Sequence, residues 1–268
     1  CFVIDNIFFN DKKINKLISK IKNNKIKIFK FRYNNKFEPS YEYLEEVRNK
    51  ISQNFDLIIA LGGGSTIDFA KGLAIVLSNH KKSIFYRGFP KKVNTPINLI
   101  AIPTTPSTGS DVSYNAVFTE KKTKTKMGIN YLYNYPILSI HDTYFMEKAD
   151  KKIIFNSICA SLVRSIESYY SKNSNSISKI LSVNSLQLIV ENFENYLKKK
   201  KEFHGQCLLL ASSLSMTALA NSGGGLGGVP AYYLSANYNI PQSIGYSISG
   251  FKIILENYKI YSNSYLEL

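Results

Sequence analysis

Three glycines followed by a serine form the stretch of this chain whose residue types most clearly suggest chemistry. The run comprises Gly62, Gly63, Gly64 and Ser65, and five apolar residues, 57–61, precede it. Glycines let the backbone turn tightly and approach a ligand without interference from a Cβ atom. The N-terminus of a following helix would add unpaired N–H groups and a favourable dipole for an anion. The run therefore predicts a phosphate site, and a tight turn without a ligand remains the alternative.

Polar residues near the glycine run could complete such a site. Asp68 and Lys71 lie three residues apart on the helix that is predicted to follow, with Ser65 or Thr66 as its cap. Asp5 ends an early apolar run, where an acid commonly accepts the ribose hydroxyls of adenosine and disfavours a 2′-phosphate. Asp5 thus favours NAD over NADP, although an aspartate in a surface turn fits the sequence equally well.

A second polar stretch follows another apolar run, residues 98–102. It contains Thr104, Thr105 and Thr108. Hydroxyl groups at the end of a strand can bind phosphate, ribose or a carboxamide, but polar turns of this composition are also common without a ligand.

Short apolar runs alternate with helical patterns in the first half of the chain. Strands are predicted at residues 2–5, 26–31, 57–61 and 98–102, with helices near 17–21, at 41–51 and directly after the glycines. This alternation indicates a parallel, doubly wound sheet whose ligands bind at the carboxyl ends of the strands. A hairpin over residues 114–129 would carry Lys126 on its second strand.

The second half of the chain has helical patterns instead. Helices are predicted at residues 153–170, 177–198 and 207–220, with shorter ones beyond 226. The fold class is therefore an α/β domain with a Rossmann-like parallel sheet, residues 1–148, followed by an incomplete all-α domain, residues 149–268. The first residue is Cys1, and a strand is already under way at Phe2, so the chain is expected to be part of a longer protein.

The composition restricts the class of protein and its partners. The chain has 34 Lys and Arg against 19 Asp and Glu, a net charge of +15, and three cysteines without metal-like spacing. The basic residues are widely spread, which favours a solvated surface over a nucleic-acid groove. No apolar run is long enough to cross a membrane. A cytoplasmic protein with a small-molecule substrate, no membrane and no specific nucleic-acid partner is predicted, and a homo-oligomer is left open.

The two polar loops resemble those of a known family. GGGSxxDxxK at residues 62–71 and IPTTxxTGS at 102–110 are similar to the cofactor loops of the iron-containing alcohol dehydrogenases, relatives of dehydroquinate synthase. The resemblance implies that the first loop holds the pyrophosphate of NAD or NADP and that Thr104 and Thr105 line its ribose and nicotinamide. Thr108 is assigned to the same site, and Lys126 occupies the position of a cofactor-contacting lysine. A solvated strand lysine is the alternative for Lys126.

The resemblance also implies a divalent ion, but the chain lacks its ligands. Family members hold the ion with an Asp and a His four residues apart on one helix and with two later histidines. The matching positions here are Ala160, Arg164, Gly228 and Gln242. Because none of these offers a carboxylate or an imidazole, no metal is expected. His141, beside Asp142, is a weak alternative ligand, and His204 is expected in a basic linker.

The predicted function is therefore an NAD(P)-dependent interconversion of a small aldehyde and its alcohol. Arg164 would replace the ion electrostatically, with Tyr232 or Lys126 as the proton donor. Residues 165–174 are similar to a segment of the phosphonoacetaldehyde reductase branch, which implies an anionic aldehyde as the substrate. A decayed site without catalysis, in a relative that still binds the cofactor, is the alternative.

Overall fold

The computed structural model describes residues 1–22, 26–34, 38–199, 201–224, 226–260 and 262. The chain packs into two compact units. Cys1–Thr104 and Tyr114–Ile140 form the first, here called the sheet unit, and Thr105–Ser113 and the chain from His141 onward form the second, the helical unit. The sequence predicted one boundary, after residue 148, whereas the division at residues 140 and 141 comes earlier and the segment 105–113 belongs to the later unit.

Within the described residues, five parallel strands form the sheet of the sheet unit. They are β1 (Phe2–Asp5), β2 (Lys30–Tyr33), β3 (Leu57–Gly62), β4 (Asn98–Pro103) and β7 (Leu138–Ser139). Their order in the sheet is β2-β1-β3-β4-β7, so β1, β3 and β4 are each paired on both sides. This parallel arrangement confirms the predicted Rossmann-like class.

Helices α1 (Lys12–Lys22), α2 (Tyr41–Lys50) and α3 (Gly64–Leu77) connect the strands of the sheet unit. Ser40 caps α2 as its pattern suggests, because its Oγ accepts a hydrogen bond from the N–H of Tyr43 at 3.2 Å. Helix α3 is buried almost throughout, and Ile67, Phe69, Leu73 and their neighbours join the core with Val3, Ile58 and Ala60 of the strands.

The second strand begins later than the sequence predicted. A strand was expected over residues 26–31, but β2 starts at Lys30, where Phe2 of β1 provides its pairing partner. β1 is only four residues long, so the register with β1 and not the alternating pattern determines where β2 lies.

Strands β5 (Asn115–Glu120) and β6 (Thr125–Asn130) form the expected antiparallel hairpin. Gly88 bonds to it through its N–H and the carbonyl oxygen of Gly128, and through its own carbonyl oxygen and the N–H of Asn130, each at 2.8 Å. Tyr41 of α2 donates its hydroxyl to the carbonyl oxygen of Met127 at 2.8 Å. These hydrogen bonds connect the hairpin to the rest of the sheet unit.

The helical unit consists mainly of helices. They are α4 (Thr143–Met146), α5 (Lys151–Tyr169), α6 (Ser176–Lys199), α7 (Glu202–Ser222), α8 (Gly228–Tyr238) and α9 (Gln242–Ile260). Met146, Ile158, Ile189 and Leu208 belong to one apolar cluster, and Val163, Ala231 and Tyr246 to another. The predicted helices are confirmed, but α7 begins earlier than expected and α9 is not short. In the described ranges, every helix is too short or too polar to span a bilayer.

Candidate functional site

The glycine run lies where β3 ends and α3 begins. Gly62 is the last residue of β3, Gly63 precedes the helix with φ −72° and ψ −177°, and Gly64 is the first helical residue. A Cβ on Gly62 would be 2.4 Å from Oγ1 of Thr66, so a side chain does not fit there. The N–H groups of Gly64 and Ser65 have no partner within the helix, because the first turn of an α-helix provides none. The backbone thus has the form of an anion site.

Neither Ser65 nor Thr66 caps the helix, so that prediction was wrong. Both residues lie inside α3. The N-cap is Gly63, which has no side chain and so provides no side-chain cap. The Oγ of Ser65 donates to Oε2 of Glu38 at 3.3 Å, and Oγ1 of Thr66 donates to Oδ2 of Asp5 at 3.5 Å. The helix starts one residue before Ser65 because the strand continues through Gly62 and leaves Gly63 as the turning point.

Asp5 is not an aspartate of a surface turn. It is 5% exposed at the carboxyl end of β1. Its Oδ1 accepts from the N–H of Ile7 at 3.0 Å, while Oδ2 accepts from Thr66 in the first turn of α3. The carboxylate is therefore held at the same edge of the sheet as the glycine run.

Asp68 and Lys71 connect α3 to the hairpin. Oδ2 of Asp68 accepts from the N–H of Val117 at 3.0 Å. Nζ of the fully buried Lys71 donates to the carbonyl oxygen of Asn115 at 2.9 Å and lies 3.9 Å from Oδ1 of Asp68. These contacts hold β5 against the helix that follows the glycine run.

Lys126 and Ser65 share one carboxylate. Nζ of Lys126, on β6, lies 3.3 Å from Oε2 of Glu38, the atom that also accepts from Ser65. The Lys126 side chain is 0% exposed, so it is not a solvated strand lysine. Glu38, which the sequence did not single out, joins these two predicted cofactor residues.

The threonines of the second polar loop fall into different units. Thr104 is buried after β4, and its N–H donates to the carbonyl oxygen of Gly62 at 3.0 Å. Thr105 and Thr108 belong to the helical unit, where Oγ1 of Thr108 accepts from the N–H of Ser110 at 3.3 Å. Gly109 has φ +58° and a Cβ there would be 2.2 Å from Cβ of Met216, so both backbone and space require glycine.

Arg164 lies on α5 and is 5% exposed. Its Nη1 donates to the carbonyl oxygen of Ser107 at 2.8 Å and to Oγ of Ser215 at 2.9 Å. Desolvation lowers the pKa of Arg164, and the electrostatic influence of Tyr246, Glu167, Tyr232 and Asp111 opposes this effect. The half-buried Tyr232 of α8 is thus among the groups in the helical unit that affect the pKa of Arg164. The positions of the two residues in the sequence do not indicate this interaction.

Glu167, one helical turn after Arg164, is bonded on both oxygens. Oε1 accepts from the N–H of Gly227 at 2.8 Å, and Oε2 accepts from the hydroxyl of Tyr246 on α9. Burial, and then Glu167, raise the pKa of Tyr246 far above its ordinary value. The phenol therefore stays protonated and acts as a hydrogen-bond donor.

The histidines have partners other than those that the sequence suggested. Nε2 of His141 lies 3.2 Å from Oδ2 of Asp111 and 3.2 Å from Oγ of Ser213, whereas Asp142 caps α4. His204 is not in a linker but in α7, with Nδ1 2.7 Å from Oδ1 of Asn192. Asp111 and Ser213 were missed because they are 102 residues apart in the chain.

The residues that the resemblance assigns to the metal positions do not fit a divalent ion. Ala160 presents a methyl group, Gly228 has no side chain, and Gln242 offers at most an amide oxygen. Arg164 adds a positive charge that repels a cation. Among the described residues, no three His, Cys, Asp or Glu side chains are grouped to hold a metal.

The parallel sheet with its glycine turn, together with the helical unit, defines a Rossmann-like α/β protein with a helical C-terminal part. A model of the iron-containing alcohol dehydrogenases matches residues 1–143, and one of the C-terminal part of the Fe-containing alcohol dehydrogenase family matches residues 157–264. The chain belongs to the iron-containing alcohol dehydrogenase family.

Similar proteins include several dehydrogenases. The 4-hydroxybutyrate dehydrogenase of Clostridium kluyveri is 28% identical over 208 residues, which cover 76% of this chain and 56% of that protein. Alcohol dehydrogenase 4 of Schizosaccharomyces pombe is 30% identical over 197 residues, covering 72% and 46%. The chain thus spans about half the length of these relatives.

Solved structures share the fold. An alcohol dehydrogenase from Oenococcus oeni superimposes with a TM-score of 0.84 at 23% identity, covering 91% of this chain and 65% of that chain. The sulfoacetaldehyde reductase of Bifidobacterium kashiwanohense, solved in complex with NAD+, gives a TM-score of 0.83 at 20% identity and covers 96% and 68%.

Proposed function

We propose that the whole protein is an NAD(H)-dependent oxidoreductase that interconverts a small aldehyde and its alcohol. The observation that carries this proposal is the backbone at Gly62–Gly64, where a buried parallel strand passes into a helix through a turn that admits no side chain at Gly62. The dehydrogenases to which the chain is similar support it. The family to which it belongs is one of alcohol dehydrogenases.

The sheet unit supplies most of the residues that would hold the cofactor. The N–H groups at Gly63, Gly64 and Ser65 would bind the pyrophosphate, and Asp5 would accept the adenosine ribose hydroxyls, which favours NAD. Thr104, Thr105 and Thr108 are assigned to the ribose and nicotinamide. When bound, the nicotinamide supplies the hydride that reduces the carbonyl carbon.

We assign different roles to Asp68 and Lys126 within this site. Asp68 would act by holding the hairpin against α3, since its carboxylate accepts from Val117. Lys126 would contact the cofactor and serve as one candidate proton donor to the carbonyl oxygen. Its position beside Glu38, which also binds Ser65, supports a location near the glycine run.

The helical unit supplies the other candidate catalytic residues. Arg164 would stabilise the negative charge that develops on the carbonyl oxygen, in place of a metal ion, and Tyr232 is the second candidate proton donor. The proton that completes the alcohol would come from Tyr232 or Lys126. The buried guanidinium supports an anionic aldehyde such as phosphonoacetaldehyde as the substrate.

A second candidate function is a cofactor-binding relative without catalysis. The specific observation in its favour is that Ala160, Arg164 and Gly228 provide no metal donor. Such a protein would bind NADH but would not turn over any aldehyde.

The experiment that decides between them is an NADH fluorescence titration of the complete protein, followed by NADH oxidation assays. Substrates are phosphonoacetaldehyde, sulfoacetaldehyde and butanal, each with EDTA or with added zinc or iron. We expect NADH to bind. We also expect an anionic aldehyde to be reduced at the same rate with EDTA as with added zinc or iron. Turnover that EDTA abolishes and a divalent ion restores would contradict the metal-free mechanism, while binding without turnover would favour the second function.

A variant tests the binding site itself. Gly63→Ala should not strain the backbone, because alanine readily adopts the φ of −72° at this position. The added methyl group would lie where the pyrophosphate approaches, so the NADH affinity should fall about tenfold or more, about 1.4 kcal/mol. Gly224→Ala is the matched control, because its Cβ would meet only Leu219 Cδ1 at 3.4 Å in the helical unit. Equal NADH affinities of both variants and the wild type would contradict the site.

We also propose a reducing compartment, the cytoplasm, for this protein. Its support is that Cys1, Cys159 and Cys207 are all free thiols, as is usual in a reducing compartment.

A further inference from the structure

We propose that Arg164 binds the anionic group of a small ligand within the helical unit, so that an anion site has replaced the family's cation site. The identification of this ligand as the substrate rests on the proposed function, but the binding of an anion does not. The ligand class is a small phosphonate, sulfonate or carboxylate.

The first observation is that the charge of Arg164 is buried without a close counter-ion. The residue is 5% exposed. No carboxylate oxygen lies within 4.0 Å of its guanidinium in the part of the chain that the structure describes. A buried charge is costly unless it is both paired and hydrogen-bonded, and it is most costly when one partner of a buried pair is missing. An arginine of this kind is therefore expected to have an anionic partner that the described residues do not provide.

The second observation concerns the carboxylates nearby. Desolvation lowers the pKa of Arg164, and among the groups that oppose this effect the carboxylates are Glu167 and Asp111. Both are used elsewhere. Glu167 accepts from Gly227 and Tyr246, and Oδ2 of Asp111 accepts from Ser213 at 3.0 Å. Both carboxylates are thus engaged with groups other than Arg164.

The third observation is that hydrogen bonds fix the guanidinium of Arg164 through one of its nitrogens, while the other two make none among the described residues. Nη1 makes both of the side-chain hydrogen bonds, to Ser107 and Ser215, and among the described residues Nε and Nη2 make none. Nε and Nη2 form the edge of a guanidinium that binds two oxygens of a carboxylate or phosphate side by side. The two bonds of Nη1 fix the direction of this edge, which reduces the entropy lost on binding.

The test uses isothermal titration of the complete protein with inorganic phosphate, sulfate and acetate, without cofactor, at an ionic strength kept constant with sodium chloride. We expect saturable binding by the wild type. Arg164→Gln should weaken it about tenfold or more, about 1.4 kcal/mol. Arg164→Lys keeps the charge but loses the fork, so it should bind phosphate with an intermediate affinity.

Arg48→Gln is the matched control, since Arg48 already has a carboxylate at 3.3 Å from Glu45 and donates to two carbonyl oxygens. It should leave the anion affinity unchanged. Gly63→Ala tests whether phosphate binds at the glycine run and not at Arg164, because it should weaken only binding at the glycine run. An anion affinity that Gly63→Ala abolishes and that Arg164→Gln leaves intact would overturn the proposal.

Folding and the proposed function are separated by two further measurements. Circular dichroism and NADH affinity report whether Arg164→Gln folds; if it does not, Arg164→Lys decides, and an affinity for phosphate equal to that of the wild type overturns the anion site. A protein that binds phosphate through Arg164 but not NADH would refute the proposed oxidoreductase and leave the anion site standing.

Discussion

Single residues in the helical unit are coupled through buried polar bonds. Tyr246 contributes to an apolar cluster through its ring and donates its hydroxyl to Glu167. Tyr196, on α6, is 1% exposed and Tyr246 8%, but the hydroxyl of Tyr196 has no hydrogen-bond partner among the described residues. Burial, and then Glu147, raise the pKa of Tyr196 to about 12. The two tyrosines therefore form a natural pair for comparison.

We expect Tyr246→Phe to destabilise the protein and Tyr196→Phe not to. The first variant removes a hydrogen bond to a buried carboxylate, which should lower the free energy of unfolding by about 1.5–3 kcal/mol. The second removes a buried hydroxyl without a partner, so stability should stay within about 0.5 kcal/mol or rise. Urea unfolding followed by circular dichroism measures both. An equal loss in the two variants would show that the bond to Glu167 does not matter.

A second residue-scale prediction concerns Lys71. Lys71→Met removes the donor to Asn115 and the positive charge beside Asp68, so we expect a loss of about 3 kcal/mol or more, as for other broken buried pairs. Lys50→Met is the control, because Lys50 forms an exposed pair with Glu46 in α2. Its unfolding midpoint should not differ measurably from that of the wild type. If both variants unfold alike, Lys71 has no special role in holding the hairpin.

At the scale of elements, α9 approaches α5 through a glycine. A Cβ on Gly250 would be 2.2 Å from Cγ1 of Val163, whereas one on Gly228 would be 3.5 Å from Cε2 of Tyr246, an ordinary contact. Gly250→Ala should therefore cost about 1–3 kcal/mol through overpacking. Gly228→Ala should have little effect or a small stabilising one. Thermal unfolding of the two variants measures the difference, and a Gly250→Ala protein as stable as the wild type would contradict the close contact.

The elements were largely predictable from the sequence, because their signals are local. The glycine run after residues 57–61, the cap at Ser40 and the hairpin with Lys126 follow from periodicity and turn residues. The predictions failed where a non-local contact decided the outcome. β2 begins at Lys30 because of its pairing with β1, and Ser65 bonds to Glu38 instead of capping α3.

The candidate site was only partly predictable for the same reason. Arg164 was identified through the resemblance, but its partners Ser107 and Ser215 lie 57 and 51 residues away in the chain. The sequence contains no pattern that links them. Likewise, Glu167 and Tyr246 are 79 residues apart and meet only after α5 and α9 have packed together.

For the whole molecule, the net charge of +15 predicts how the protein binds nucleic acids. The charge attracts phosphate backbones without any recognition motif, so duplex DNA should bind weakly and lose most of its affinity between about 50 and 200 mM salt. NADH, which has few charges, should bind with a much smaller salt dependence. Fluorescence anisotropy of labelled DNA and an NADH titration at both salt concentrations check this. Tight DNA binding at the higher salt, with no affinity for NADH, would favour a nucleic-acid protein instead.

The segment Thr105–Ser113 has a consequence for how this protein can be divided. It belongs to the helical unit, where Ser161 donates to the carbonyl oxygens of Pro106 and Ser107, yet sheet-unit chain both precedes and follows it. The polypeptide therefore passes from one unit to the other three times. A gene cut after residue 140 would yield a sheet unit that still carries this segment without the helices to which it bonds. An independent sheet unit would instead need an artificial linker between residues 104 and 114 in place of this segment.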